Sequence, residues 1–181
     1  AFDRIFYESE VDEPGLKLVE EYLQKGVFTE SDGAVGVVND EVKHMPFFML
    51  RKRDGTSLYS TKDLALARLK FEEYRIDRSI YVVDVRQSDH FRHVFLTLKK
   101  MGFVQADRCQ HVPYEMVELP EGPMATRKGN VVLFRSLRQQ MTAQLRKTFF
   151  HKFEGVWPAE EIDAAEHAVA LGAIKYGMLA R

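Results

Sequence analysis

Cysteine is nearly absent from this chain: Cys109 is the one cysteine in 181 residues. An intramolecular disulfide is thereby excluded, and no Cys/His group with the spacing of a zinc site occurs, so no metal site is expected in the sequence. This usage suits a reducing compartment, and a cytoplasmic location is expected. Long apolar runs are missing as well. The opening residues 1–8 carry no basic stretch followed by an apolar one, and nothing approaches the ~20 consecutive apolar residues of a bilayer span. Neither an export signal nor a membrane contact is expected. An excess of charge is also absent: 26 Lys and Arg stand against 27 Asp and Glu. That balance argues against a uniformly basic coat for nucleic acid, so any polyanion must be met by a local patch. Internal repeats and low-complexity tracts are not found.

What is present is a globular chain with material for a core, since 45% of its residues are hydrophobic. A domain of this length buries roughly 70% of the surface its unfolded chain exposes. Leu16, Val19 and Leu23 recur at helical spacing within 15–25, with Gly26 placed as a C-terminal cap. Residues 34–38 and 45–50 read as strands, and Asp54-Gly55 as the turn that follows. Ser60-Thr61-Lys62-Asp63 has the form of a capping box opening a helix whose face is Leu64, Ala67, Phe71 and Tyr74. Residues 79–85 are apolar almost throughout, the pattern of a parallel strand buried on both faces. A helix follows, with Ser88 and Asp89 as capping candidates, Phe91, Val94, Phe95 and Leu98 as its stripe, Gly102 at its end, and His93 on its surface. Strand-like 111–119 leads to a polar loop, and helical patterns return at 136–150 and from Ala159 onward. In the last of these Ile162, Ala165, Val169, Gly172, Ala173 and Tyr176 form the expected apolar face. Helix, buried strand, helix indicates an α/β fold, half of a doubly wound sheet.

Ligands of such sheets bind beyond the carboxyl ends of the strands, near helix N-termini. Tyr59 and Asp63 flank one helix start, and Gln87 and His90 flank the next. Glu8 and Glu10 lie near the chain start. In the loop 124–130, Arg127 offers a planar fork of donors, Lys128 a mobile charge, and Gly129 room for close backbone approach. Carboxylates with a phenol suit a guanidinium or ammonium ligand, whereas adjacent cations suit phosphates. A cationic small molecule and a nucleotide are the implied pair. Each cluster also has a plainer use: Asp63 as a cap, His90 as a packed ring, Arg127 and Lys128 as a solvated basic turn.

Four blocks, in order, carry a resemblance. Phe2-Asp3 through Phe6-Tyr7-Glu8-Ser9-Glu10 is similar to a segment F-D-x-x-x-x-E-S. Leu58-Tyr59-Ser60-Thr61-Lys62-Asp63-Leu64-Ala65 is similar to Y-x-T-R-D-[IVL]-A. Ile80-Tyr81-Val82-Val83 with Gln87 and His90 is similar to I-Y-V-V…Q-x-x-H. Pro123-Met124-Ala125-Thr126-Arg127-Lys128-Gly129-Asn130-Val131-Val132 is similar to KMSTRKGNVV, with Pro123 and Ala125 replacing the first Lys and the Ser. Together they resemble the arginyl branch of the class I aminoacyl-tRNA synthetases, over nearly the whole chain.

The resemblance implies that Glu8, Tyr59, Asp63 and Gln87 line an arginine pocket, with Asp63 and Glu8 on the guanidinium or α-ammonium. It implies that His90 lies by the adenosine, that Met124, Thr126, Arg127 and Lys128 bind ATP, and that Arg127 and Lys128 act on its phosphates, assisted by Mg2+. L-arginine, ATP and tRNA(Arg) are the implied substrates. As a fold it implies the second half of a Rossmann-type parallel sheet in residues 1–155 and the first helix of an anticodon-binding bundle in 156–181. The first signature of class I, His-x-Gly-His, does not occur. The chain is therefore expected to be an internal piece of such an enzyme, inactive by itself and prone to self-association through uncovered surfaces. Two other readings stand beside it: a non-catalytic module that binds arginine, tRNA or a protein, and a nucleotide-binding α/β enzyme for a different amino acid.

Overall fold

A computed structural model describes residues 2–115, 118–119, 122–123 and 131–180. The chain divides into two compact units, residues 1–116 and 117–181. It is a mixed α/β protein with small parallel and antiparallel sheets and five α-helices among the described residues. No helix among those residues is long and apolar enough to cross a membrane.

The first unit opens with α1 (Glu8–Gln24), seven residues ahead of its expected start. Pro14 and Gly15 both sit inside the helix. The start is fixed by the Glu10 carboxylate, which accepts from the Tyr7 backbone N–H at 2.8 Å. Glu8 and Glu10 in the first turn also complement the positive helix end. Gly26 closes the helix with φ +69°, as its position suggests. Next comes an antiparallel sheet of β1 (Thr29–Ser31), β2 (Ala34–Val38) and β3 (Phe47–Arg51), in that order.

Helix α2 (Tyr59–Glu72) follows β3 and does not open on the expected capping box. Leu58 occupies the cap position, and Ser60 and Thr61 lie in the first turn. Their hydroxyls donate to Met49 O at 2.6 Å and to Leu50 O, pinning α2 onto β3. Asp63 is thereby released from capping. Leu64, Ala67 and Phe71 are buried as expected, while Tyr74 lies past the helix end and is half-exposed.

Gly15 sets how closely α1 approaches α2. A Cβ there would lie 2.8 Å from Thr61 Cγ2 and 3.1 Å from the Thr61 carbonyl oxygen. Alanine ordinarily gains about 0.5–1 kcal/mol over glycine inside a helix. Overpacking typically costs about 1–3 kcal/mol, and the backbone oxygen cannot rotate away. Net destabilisation is therefore expected for Gly15→Ala, read as a lower urea midpoint at unchanged slope. A raised midpoint would contradict the close packing.

The parallel pair β4 (Ser79–Asp84) and β5 (Cys109–Tyr114) brackets α3 (Ser88–Lys100), making a β-α-β unit. Burial of β4 on both faces is not observed. Ser79 and Tyr81 are buried, whereas Ile80 and Val82 are 55% and 65% exposed. The alternation shows that α3 covers this two-stranded sheet on one face only. The start of α3 also differs from expectation. Asp84 caps the 3-10 turn Val85–Gln87 that leads into it, by accepting from the Arg86 backbone N–H at 3.0 Å. Ser88 donates to Val85 O at 2.7 Å, and Asp89 meets His44 Nε2 at 3.0 Å.

His93, expected on the surface, is fully buried. Its ring stacks on Phe48 with centroids 4.6 Å apart, and its Nδ1 lies 3.0 Å from the Asn39 amide nitrogen. An amide nitrogen donates, so Nδ1 accepts and the ring is neutral. Burial pushes its pKa below the usual 6.5, outweighing the opposing backbone contact at Met45 and the charge of Asp89. The unfolded chain therefore binds this proton more readily than the folded one. Stability from His93 is present above about pH 6.5 and lost as pH falls towards the depressed value. The thermal midpoint is expected to fall between pH 7 and pH 5 more steeply in the unaltered chain than in His93→Gln. Equal slopes would contradict this.

In the second unit, β6 (Glu118–Leu119) and β7 (Gly122–Pro123) pair as a short antiparallel hairpin. The cationic loop, with Met124, Thr126, Arg127 and Lys128, lies outside the described residues. Helix α4 (Phe134–Leu145) continues through a π turn (Arg146–Phe150) and packs against α5 (Ala159–Leu179). The buried face of α5 is Ile162, Glu166, Ala170 and Ile174, so that of the expected face only Ile162 is buried. Val169 and Tyr176 from the expected face are 46% and 75% exposed. On this face Glu166, which the apolar pattern does not include, is buried against Arg146, whose guanidinium donates to both its oxygens, at 3.0 Å from Nη2 to Oε2.

Candidate functional site

A pocket of about 270 Å³ opens in the first unit where α1, α2 and the start of α3 converge. That volume lies near the lower end for small-molecule sites, and suits an amino acid better than a dinucleotide. Glu8, Tyr59, Asp63, Gln87 and His90 all line it. Each helix contributes one face. From α2 come Tyr59, Lys62, Asp63 and Leu66, spaced i, i+3, i+4, i+7, and from the α3 start come Gln87, His90 and Phe91. Phe6, Tyr7, Glu8 and Val11 supply the α1 wall.

Each pocket carboxylate already has one partner from the chain. Asp63 Oδ2 lies 2.6 Å from His90 Nε2, and both side chains are about a quarter exposed, at 27% and 25%. Glu8 Oε2 lies 2.7 Å from Lys62 Nζ, which also stands 3.7 Å from Asp12 Oδ1. The hydrogen bond to Glu8, reinforced by the charges of Glu8 and Asp12, raises the Lys62 pKa against the cost of burial. Gln87 is oriented from behind. Its amide donates to Asp84 Oδ2 at 3.4 Å, and Asp84 is itself held below the usual carboxylate range, chiefly by the Arg86 guanidinium. Tyr59 is 72% exposed at the rim.

Lys62 is a pocket residue that the sequence reading did not single out, although it stands inside the Tyr59–Asp63 block. The signal was available, since it shares a helical face with Tyr59, Asp63 and Leu66. Phe6, Tyr7, Val11, Leu66 and Phe91 were likewise not named as wall residues. Chemically the arrangement combines two carboxylates, an amide and a phenol rim with apolar side chains; Lys62 offsets the charge of Glu8, so it is Asp63 that favours a small ligand with a cationic end.

Comparison with known proteins bears on the whole chain. Residues 5–181 match the family model of class I tRNA synthetases (R), catalytic domain. The arginine--tRNA ligase of Bdellovibrio bacteriovorus is 44% identical over 178 residues, covering 98% of this chain and 30% of that protein. That of Bacteroides thetaiotaomicron is 38% identical over 180 residues, with the same coverage of 98% and 30%. The chain thus spans about 30% of the length of the curated relatives it matches. In three dimensions it resembles the arginyl-tRNA synthetase of Thermus thermophilus, with TM-score 0.74 and 24% identity over 93% of this chain and 34% of that one. It likewise resembles the arginyl-tRNA synthetase of Plasmodium falciparum, with TM-score 0.73 and 23% identity over 96% of this chain and 29% of that one. The family match over 5–181 and these sequence relatives place the protein plainly: the chain belongs to the arginyl family of class I tRNA synthetases, within its catalytic domain.

Proposed function

We propose that this chain supplies the arginine pocket and the phosphate-handling loop of an enzyme that activates arginine with ATP and esterifies it to tRNA(Arg). The observation that carries this reading is the convergence of Glu8, Tyr59, Asp63, Gln87 and His90 on one amino-acid-sized pocket. Asp63 and Glu8 hold the guanidinium and the α-ammonium of arginine, Tyr59 covers the ligand at the rim, and Gln87 donates or accepts beside it. The arginine carboxylate then attacks the α-phosphorus of ATP, and the bond to the β-phosphate oxygen breaks to release pyrophosphate. The mixed anhydride so formed is attacked by a ribose hydroxyl at the tRNA 3′ end, which displaces AMP. No protein nucleophile takes part, so the residues act by positioning and by electrostatic stabilisation.

His90 borders the adenosine in this reading. Met124 and Thr126 contact ATP, and Arg127 and Lys128 stabilise charge on the leaving pyrophosphate. Magnesium is the family's expected companion of ATP. Among the described residues no three His, Cys, Asp or Glu side chains gather to hold a metal. In fold terms, β4 and β5 belong to the second half of the class I parallel sheet, and residues 156–181 open the helical bundle beyond it.

Titration calorimetry with L-arginine, L-lysine and L-citrulline tests the pocket. Citrulline keeps the shape of arginine and lacks its charge. The reading predicts that arginine binds and that citrulline binds at least about tenfold more weakly, the scale of one hydrogen bond between charged groups. Equal binding of arginine and citrulline would contradict it.

A further inference from the structure

The two pocket carboxylates are held differently. Glu8 is 65% exposed, and its partner is the flexible Lys62. Asp63 is 27% exposed, and its partner is a ring fixed on two sides. Phe48 and the His90 ring meet in a T-shaped contact with centroids 5.7 Å apart at 62°, and Phe91 meets the same ring at 5.2 Å and 84°. Nε2 thereby faces Asp63 Oδ2 at 2.6 Å. Towards a carboxylate an imidazole nitrogen donates, so the proton resides on Nε2. Asp63 Oδ1 has no hydrogen-bond partner among the described residues.

From this geometry we infer that His90 is a positioning residue for the substrate's cation, acting through Asp63. By engaging Oδ2 it fixes the carboxylate plane and leaves Oδ1 for the ligand. The cation is thus met by an acceptor that need not be ordered on binding, which lowers the cost of association. This deepens the reading of the pocket as an arginine site and rests on it. Nδ1 of the same ring stays available to a neighbouring nucleotide.

The test uses this chain, the variants His90→Gln and His90→Leu, and calorimetry with L-arginine and L-citrulline. Leucine keeps an apolar group against Phe48 and Phe91, whereas glutamine restores a side-chain donor. Long-range 1H–15N spectra of the empty chain read the proton on the His90 ring independently of any ligand. The expected results are a proton on Nε2 and a loss of arginine affinity of at least about tenfold in His90→Leu, the worth of one hydrogen bond to a charged group. Discrimination against citrulline should shrink in parallel, and His90→Gln should recover arginine affinity to within about threefold. A proton on Nδ1 with Nε2 bare, unchanged affinity in His90→Leu, or equal losses for arginine and citrulline would each overturn the inference while leaving the arginine reading intact. Absence of arginine binding by the unaltered chain would overturn both.

Discussion

Asp63→Ala is expected to weaken L-arginine binding at least about a hundredfold, with the fold retained. Truncating one partner of a hydrogen-bonded charge pair costs about 2–5 kcal/mol, and a hundredfold corresponds to about 2.7 kcal/mol. The lower part of that range applies because Asp63 is 27% exposed and water reaches it. Stability should change little, since the carboxylate caps no helix and its deletion leaves His90, itself a quarter exposed, able to hydrogen-bond water. Asp63→Asn separates charge from shape: its side-chain oxygen still accepts from His90, but the cation loses its counter-charge. Its affinity should fall between the unaltered and alanine chains. Calorimetry paired with thermal melts decides the matter. Undiminished binding would remove Asp63 from the site, and a collapsed melt would make its role structural.

The second large effect lies in the other unit. Arg146→Met is expected to lower the thermal midpoint by on the order of 10 °C, because it strands the Glu166 carboxylate in the α4–α5 packing without a partner. Glu166 is 2% exposed, and Asp163 and Glu154 engage the same guanidinium from the solvent side. Those outer contacts lie near water and contribute little. Replacing both members, Arg146→Met with Glu166→Leu, should recover most of the loss, since a buried pair exchanged for apolar groups is often neutral or stabilising. Equal instability of the single and double variants would mean that shape, and not the unpaired charge, governs the site.

Those two residues also mark where the sequence is legible and where it is not. The two clusters could be placed because they stand at helix starts with local spacing, Tyr59 with Asp63 and Gln87 with His90, whereas their sharing one pocket with Glu8 was implied by the family resemblance alone. Short-range periodicity is what a sequence displays most directly. Lys62 belongs to the same periodicity, but lysine is mostly exposed, so its residue type gives no sign of a pocket. Burial of polar groups is a different problem, since it depends on partners far away in the chain. Glu166 is inside because Arg146, twenty residues earlier, reaches it, and His93 because Asn39 lies 54 residues before it. The apolar run of β4 was equally uninformative about its cover, because alternation is invisible when both faces are apolar. The early start of α1 lies ahead of its apolar spacing, where the Glu10 carboxylate accepts from the Tyr7 backbone N–H and Gly15 fits against Thr61.

The central claim is that one pocket in the first unit receives a cationic amino acid. Mapping an L-arginine titration by heteronuclear NMR tests it most directly, using the Tyr59 and His90 rings, the Gln87 side-chain amide and the backbone amides of Glu8 and Asp63 as reporters. The account predicts that shifts concentrate on these five residues and saturate together. Shifts confined to α4 and α5, or scattered without saturation, would contradict it.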